Sequence, residues 1–125
     1  YVAHGRNSGS LMAKSFSNEN MSLKSSPGFY TTSETYFGGH GYSLRLDGLE
    51  KNINDNARAR AIVMHGAAYS SPSAVSSMGY LGRSWGCPAV PTELTKPIIN
   101  TIKGGSCTFI YTTENNYLEN SNILD

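Results

Sequence analysis

One thiol and one imidazole in this chain are of the types, and in the setting, that could do chemistry together. Cys87 sits in the stretch Gly82-Arg83-Ser84-Trp85-Gly86-Cys87-Pro88, and His65 lies upstream in Met64-His65-Gly66. An unperturbed thiol titrates near about 8.5, so at neutral pH only a few per cent is the nucleophilic thiolate unless a neighbour favours the anion. An imidazole, a cation or an array of amides can do so, and a two-unit shift needs only about 2.7 kcal/mol of differential stabilisation. Gly82 and Gly86 allow sharp turns that bring backbone amides close to a substrate carbonyl, as an oxyanion requires. These residue types point to acyl transfer through a cysteine. The competing reading is structural: free cysteines are commonly buried, and a histidine after a strand can simply satisfy a local hydrogen bond.

Metal chemistry is the weaker alternative. The three histidines and two cysteines include no Cys-x-x-Cys or His-x-x-x-His spacing that would put two ligands on one ion. Each histidine (His4, His40 and His65) is instead followed by glycine, which points to turns. No metal or organic cofactor is expected, because thiolate, imidazole and backbone dipoles can supply nucleophile, base and charge stabilisation. Cys87 and Cys107 could form one disulfide, and if they pair the catalytic reading of Cys87 fails.

The rest of the chain must position this pair. Its 125 residues fit one domain with a real apolar core. The ten Lys and Arg are scattered and the net charge is +1, which argues against a nucleic-acid binder. No apolar run approaches the roughly 20 residues of a membrane span, and Tyr1-Val2-Ala3 has neither an initiating Met nor the pattern of a signal peptide. The chain therefore reads as a mature or trimmed product, and its weakly charged, Tyr- and Thr-rich composition is common in exported proteins. Thirteen Gly and eight Tyr favour strands with tight turns over a helical bundle.

Tyr1–Ala3 reads as the end of a strand, which allows for earlier strands outside this chain. Residues 15–27 show no period and read as a long surface segment. Gly28–Thr32 and Tyr42–Leu46 read as strands, the second with alternating Tyr42, Leu44 and Leu46, joined by the bend Gly38-Gly39-His40-Gly41. Asn54–Arg60 suggests one or two helical turns before the apolar strand Ala61–Met64, which delivers His65 at its C-terminal end. Residues 67–83 read as a loop able to cover a site. Pro91–Lys103 is the best helix, with Leu94, Ile98 and Ile102 spaced by four and Gly104 placed to end it. Thr108–Tyr111 reads as a closing strand.

Against this background the chain resembles the L,D-transpeptidases, the YkuD-like family of murein cross-linking enzymes. That family's motif is His followed by Gly or Ser, a spacer, then Ser/Thr-His-Gly-Cys and a downstream Arg or Asn. Here it reads His65-Gly66, eighteen residues from Gly66 to Arg83, then Ser84-Trp85-Gly86-Cys87. Further landmarks match a subgroup of murein L,D-transpeptidase catalytic domains: Val2-Ala3-His4-Gly5, Phe16-Ser17-Asn18, Ser25-Ser26-Pro27-Gly28-Phe29-Tyr30 and residues 42–50.

The resemblance implies a mainly β fold, either a β-sandwich or a mixed sheet with a few short helices, as one catalytic domain over residues 1–125, with room for further N-terminal strands outside it. It implies Cys87 as nucleophile and His65 as general base, with the Gly86 and Cys87 amides in the oxyanion hole. Ser84, Trp85 and Gly66 fall at positioning sites of the motif. Trp85 replaces the second His and is expected to wall the pocket, desolvating the thiolate's partner; Pro88-Ala89 replaces the usual apolar residue and Arg or Asn. Arg83 is expected to bind a stem-peptide carboxylate in place of that lost anchor, with Arg45 the second choice. A guanidinium suits such a ligand, although strand alternation favours a solvated Arg45. His4 and His40 are expected to be turn residues, and Tyr69 a packing or rim residue.

The reaction implied is attack on the third stem residue of a peptidoglycan tetrapeptide, loss of D-Ala, and transfer of the thioester to an amine of another stem. Water as acceptor would make the protein an L,D-carboxypeptidase, and an inactive wall-binding module is the other alternative. A papain-like enzyme fits less well, since those place the cysteine ahead of the histidine. The expected location is the cell envelope, periplasmic or exported.

Overall fold

The computed structural model describes residues 1–9 and 12–124. Five strands form one sheet in the order β4-β3-β2-β1-β5: β1 (Gly28–Gly38), β2 (Gly41–Gly48), β3 (Val63–Gly66), β4 (Ala89–Val90) and β5 (Cys107–Ile110). All neighbours are antiparallel except β3 and β4, which run parallel. Of the two expected architectures, the described residues thus form the mixed sheet. Three short helices accompany it: α1 (Pro72–Met78), α2 (Thr95–Ile102) and α3 (Asn115–Asn120).

The alternation of β2 sets the core. Leu44 and Leu46 are fully buried with Tyr30, Ala57, Ile62, Met64, Val90 and Ile99, while Tyr42, Ile98 and Ile102 pack at its edge. Because successive strand residues face opposite ways, Met64 in the core sends His65 to the other face of β3. Helix α2 begins four residues later than its expected Pro91 start, after a 3-10 turn over Thr92–Leu94. Its most buried residue is Ile99, and Leu94 from the expected stripe is exposed.

Three other expectations change, and one helix comes without any. Asn54–Arg60 forms a run of irregular turns with no helix, and the strand after it starts at Val63. Within the expected loop of residues 67–83, helix α1 forms: Ser71 accepts from the Ala74 amide as N-cap, Pro72 occupies the first turn, and Gly79 ends it with left-handed φ. None of its residues is buried, so it carries no apolar period to betray it. The expected surface segment 15–27 instead tucks its end into the protein, with Ser25 and Ser26 almost fully buried. Hydroxyls replace apolar contacts there: Ser25 accepts from the Gly5 amide and donates to the Gly86 carbonyl, and Ser26 donates to the Ser17 carbonyl. Finally, α3 is anchored by the buried Glu50 carboxylate, which accepts from Tyr117 at 2.8 Å, from Ser121, and from the Phe29 amide at 3.0 Å.

Candidate active site

The register of the sheet brings thiol and imidazole together. His65 pairs with Ala89 across the parallel β3–β4 contact, so Cys87, two residues before Ala89, falls beside the start of β3. The Val63 amide donates to Cys87 Sγ at 3.4 Å, and the Sγ–H points to the Ala61 carbonyl at 3.5 Å. The N-terminal segment braces this arrangement from outside, with reciprocal bonds between Ala3 and Ala89 and bonds linking Ser84 to His4 and Arg6.

Both glycines of the motif have steric reasons. Gly86 adopts φ 122, and a Cβ there would meet the Lys24 carbonyl at 2.8 Å, a conformation and an approach open only to glycine. A Cβ on Gly82 would press into Tyr69 at 2.4 Å. The Ser84 hydroxyl ties the turn internally, donating to the Cys87 carbonyl at 2.6 Å and accepting the Gly86 amide at 3.1 Å. The Gly86 amide, expected in the oxyanion hole, is donated inside the turn to Ser84 Oγ. The amides of Trp85 and Cys87 make no hydrogen bond among the described residues.

A cavity of about 250 Å³ is lined by His40, His65, Tyr69, Arg83, Ser84, Trp85 and Cys87. Five residues singled out from sequence thus share one concavity. Gly66 and Gly86 contribute from behind: the Gly66 carbonyl accepts His65 Nδ1–H at 3.0 Å, which leaves the ring's lone pair on Nε2, the tautomer a base requires. Both cysteines are free thiols, and Cys107 lies on the far edge strand β5.

Burial acts on the pair in opposite senses. It pushes the Cys87 thiol up, against the lowering effects of the Val63 amide and the Arg60 guanidinium. It pulls His65 down, assisted by His40 and opposed by the Gly66 hydrogen bond. Desolvation penalises thiolate and imidazolium alike, so the resting pair is neutral thiol and neutral imidazole, and no hydrogen bond joins them directly among the described residues.

His40 was expected only as a turn residue. It occupies the β1–β2 hairpin and also stacks on His65, with ring centroids 4.1 Å apart and planes 12° from parallel. Trp85 is 71 % exposed, so it forms the rim, and the cover over His65 comes from His40. Only the Gly-rich bend marked His40 in sequence, and a bend does not reveal what its ring will touch. Arg83 donates to the carbonyls of Gly9, Leu81 and Gly82. Arg45 points elsewhere, pairing with Glu34 at 3.5 Å and covering the Tyr36 ring. His4 lies outside the cavity lining, its ring lowered by burial and its Nε2 without a partner among the described residues.

No described helix is long and apolar enough to cross a membrane, and no group of three or more His, Cys, Asp or Glu gathers around a metal-sized site among the described residues. No match was found among curated proteins or solved structures. The model of the L,D-transpeptidase catalytic domain, however, matches residues 1–111 and so takes in the five strands, the His65 strand and the Cys87 turn. With that coverage, the chain belongs to the L,D-transpeptidase catalytic domain family.

Proposed function

We propose that this protein cross-links peptidoglycan stem peptides in the cell envelope, with Cys87 as nucleophile and His65 as its base. The observation that carries the reading is the shared cavity: a half-buried free thiol and an imidazole anchored through Nδ1 line the same pocket. Because burial favours both neutral forms, proton transfer accompanies attack and does not precede it. Sγ bonds to the carbonyl carbon of the third stem residue while its proton passes to His65 Nε2. The oxygen gathers negative charge, for which the unengaged Cys87 and Trp85 amides are the nearest candidate donors. Collapse of the intermediate breaks the bond to D-Ala, whose nitrogen takes the proton from His65 as it leaves. An amine of a second stem then attacks the thioester, returning its proton through His65 to sulfur and forming the cross-link.

Arg83 uses Nε and Nη1 on backbone carbonyls, and its remaining donors suit a substrate carboxylate at the cavity wall. A second cavity shares His40 and is lined by Gly41, Tyr42, Gly66, Thr92, Thr95 and Lys96, which offers room for the acceptor stem beside the donor.

Intact-mass analysis after incubation with a carbapenem, and separately with a tetrapeptide stem, tests the nucleophile. An adduct is expected on the wild type and none on Cys87→Ala. An adduct that survives the substitution, or none on either protein, would remove Cys87 from the mechanism. Adding a second stem should yield cross-linked dimer, whereas tripeptide alone would identify water as the acceptor.

A further inference from the structure

Behind the nucleophile turn lies a positive charge that neither the family motif nor the sequence reading placed in the site. Arg60 is half-buried, and its guanidinium donates only to neutral oxygens: the Ser17 carbonyl (3.0 Å), Ser26 Oγ (2.7 Å), Ser22 Oγ (3.2 Å) and the Lys24 carbonyl (2.7 Å). No carboxylate pairs with it among the described residues. Burying a cation without a counter-charge is costly, and hydrogen bonds to neutral groups leave its field unneutralised.

That field is aimed by contact. A Cβ on Gly86 would meet the Arg60 guanidinium at 3.2 Å and the Lys24 carbonyl, which the same guanidinium holds, at 2.8 Å. Arg60 is therefore packed against the backbone of the residue immediately before Cys87. We propose that Arg60 is a positioning residue that clamps the nucleophile turn from behind and lends it a fixed positive charge, favouring the Cys87 thiolate without touching substrate. The lowering effect of Arg60 on the Cys87 thiol, and the reciprocal raising effect of Cys87 on Arg60, agree in sign with this geometry.

Other groups around the sulfur act differently. Tyr30, from β1, and Tyr69 are both pushed up by burial and are neutral at physiological pH. Glu50 adds to the upward shift of Tyr30. His65, His40 and Arg83 face the thiol from the cavity, and the first of these is held low by burial. Among the described residues, Arg60 is the cation that reaches the turn from the protein side.

The inference rests on reading Cys87 as the nucleophile, and the test keeps the two apart. The rate of iodoacetamide alkylation is measured against pH for Cys87, with the exposed thiol Cys107 in the same molecule as reference. Arg60→Gln keeps hydrogen-bond donors and loses the charge; Arg60→Lys keeps the charge and loses the fork. The Gln variant is expected to move the Cys87 profile to higher pH by about one unit, a tenfold loss of reactivity at pH 7 relative to Cys107. The Lys variant should recover most of that loss.

Superimposable profiles in wild type and Arg60→Gln, or equal shifts in Gln and Lys, would overturn the proposal and leave Arg60 a structural clamp. If Arg60→Gln unfolds, Cys87 will alkylate like Cys107. The decision then falls to Ser22→Asp, which sets a carboxylate on the guanidinium from a partly exposed position: an unmoved profile in that folded variant also overturns it. Absence of a carbapenem adduct on wild-type Cys87 would refute the nucleophile itself, a result that no Arg60 variant can produce.

Discussion

Arg58 and Arg60 stand two residues apart in one run of turns, and their surroundings are opposite. Arg58 is exposed and saturated with acid: it donates to Asp47 at 2.6 Å and to Glu34 at 2.8 Å, holding both carboxyls below their ordinary range, mainly through these hydrogen bonds. Arg60 turns inward and meets only hydroxyls and carbonyls. A paired surface charge spends its field on its partners and on solvent screening. An unpaired charge behind the Cys87 turn keeps its field for whatever lies in front of it.

The contrast can be tested by substitution on either side. The largest effect is expected at the proposed base of the inward region: His65→Ala should slow acylation of Cys87 by on the order of 10²–10⁴-fold, measured by adduct formation against time. An unchanged rate would place the base elsewhere. His40→Ala comes next. It uncovers His65 and removes a neighbour that lowers it, so the imidazole, now held low, should rise toward its ordinary value. The acid limb of the acylation profile then moves to higher pH, with a loss of up to about fourfold at pH 6 that vanishes by pH 8. His40→Phe, which keeps the stack, should restore part of it; identical profiles for Ala and wild type would reduce His40 to a hairpin residue.

Tyr117→Phe removes one donor from the buried Glu50 carboxylate. It should cost about 1.5–3 kcal/mol in chemical denaturation and leave the acylation rate untouched. A matching fall in rate would mean that α3 is coupled to the cavity. Arg58→Ala should have the smallest effect, lowering the melting temperature at neutral pH by no more than about 3 °C without changing turnover. Its stabilisation has a definite sign in pH. Glu34 and Asp47 are depressed in the folded state, so the contribution is complete above the ordinary carboxylate range and is lost as pH falls through their folded values. Wild type and variant should therefore converge in acid and in high salt.

The legible parts of the molecule were those whose pattern is local. Alternation in Tyr42–Leu46, the Gly-rich bend at 38–41 and the apolar run into His65 foretold β2, its hairpin and β3, because each depends on side chains a few residues apart. Helix α1 was hidden because it buries nothing. The 15–27 segment misled because its burial is satisfied by serine hydroxyls, which look in sequence like a solvated loop.

Residue order alone names the groups that could react: a thiol behind Gly86, an imidazole before Gly66, and the spacing that aligns them with the family motif. Tertiary structure decided how those groups are conditioned. The β3–β4 register set Cys87 beside Val63 and His65 over the cavity, the hairpin laid His40 on the His65 ring, and the turn run sent Arg58 to solvent and Arg60 beneath the Cys87 turn. The physical reason is range. Residue chemistry and strand period are written in near neighbours, whereas burial, stacking and the partner of a charge depend on segments brought together from far apart in the chain.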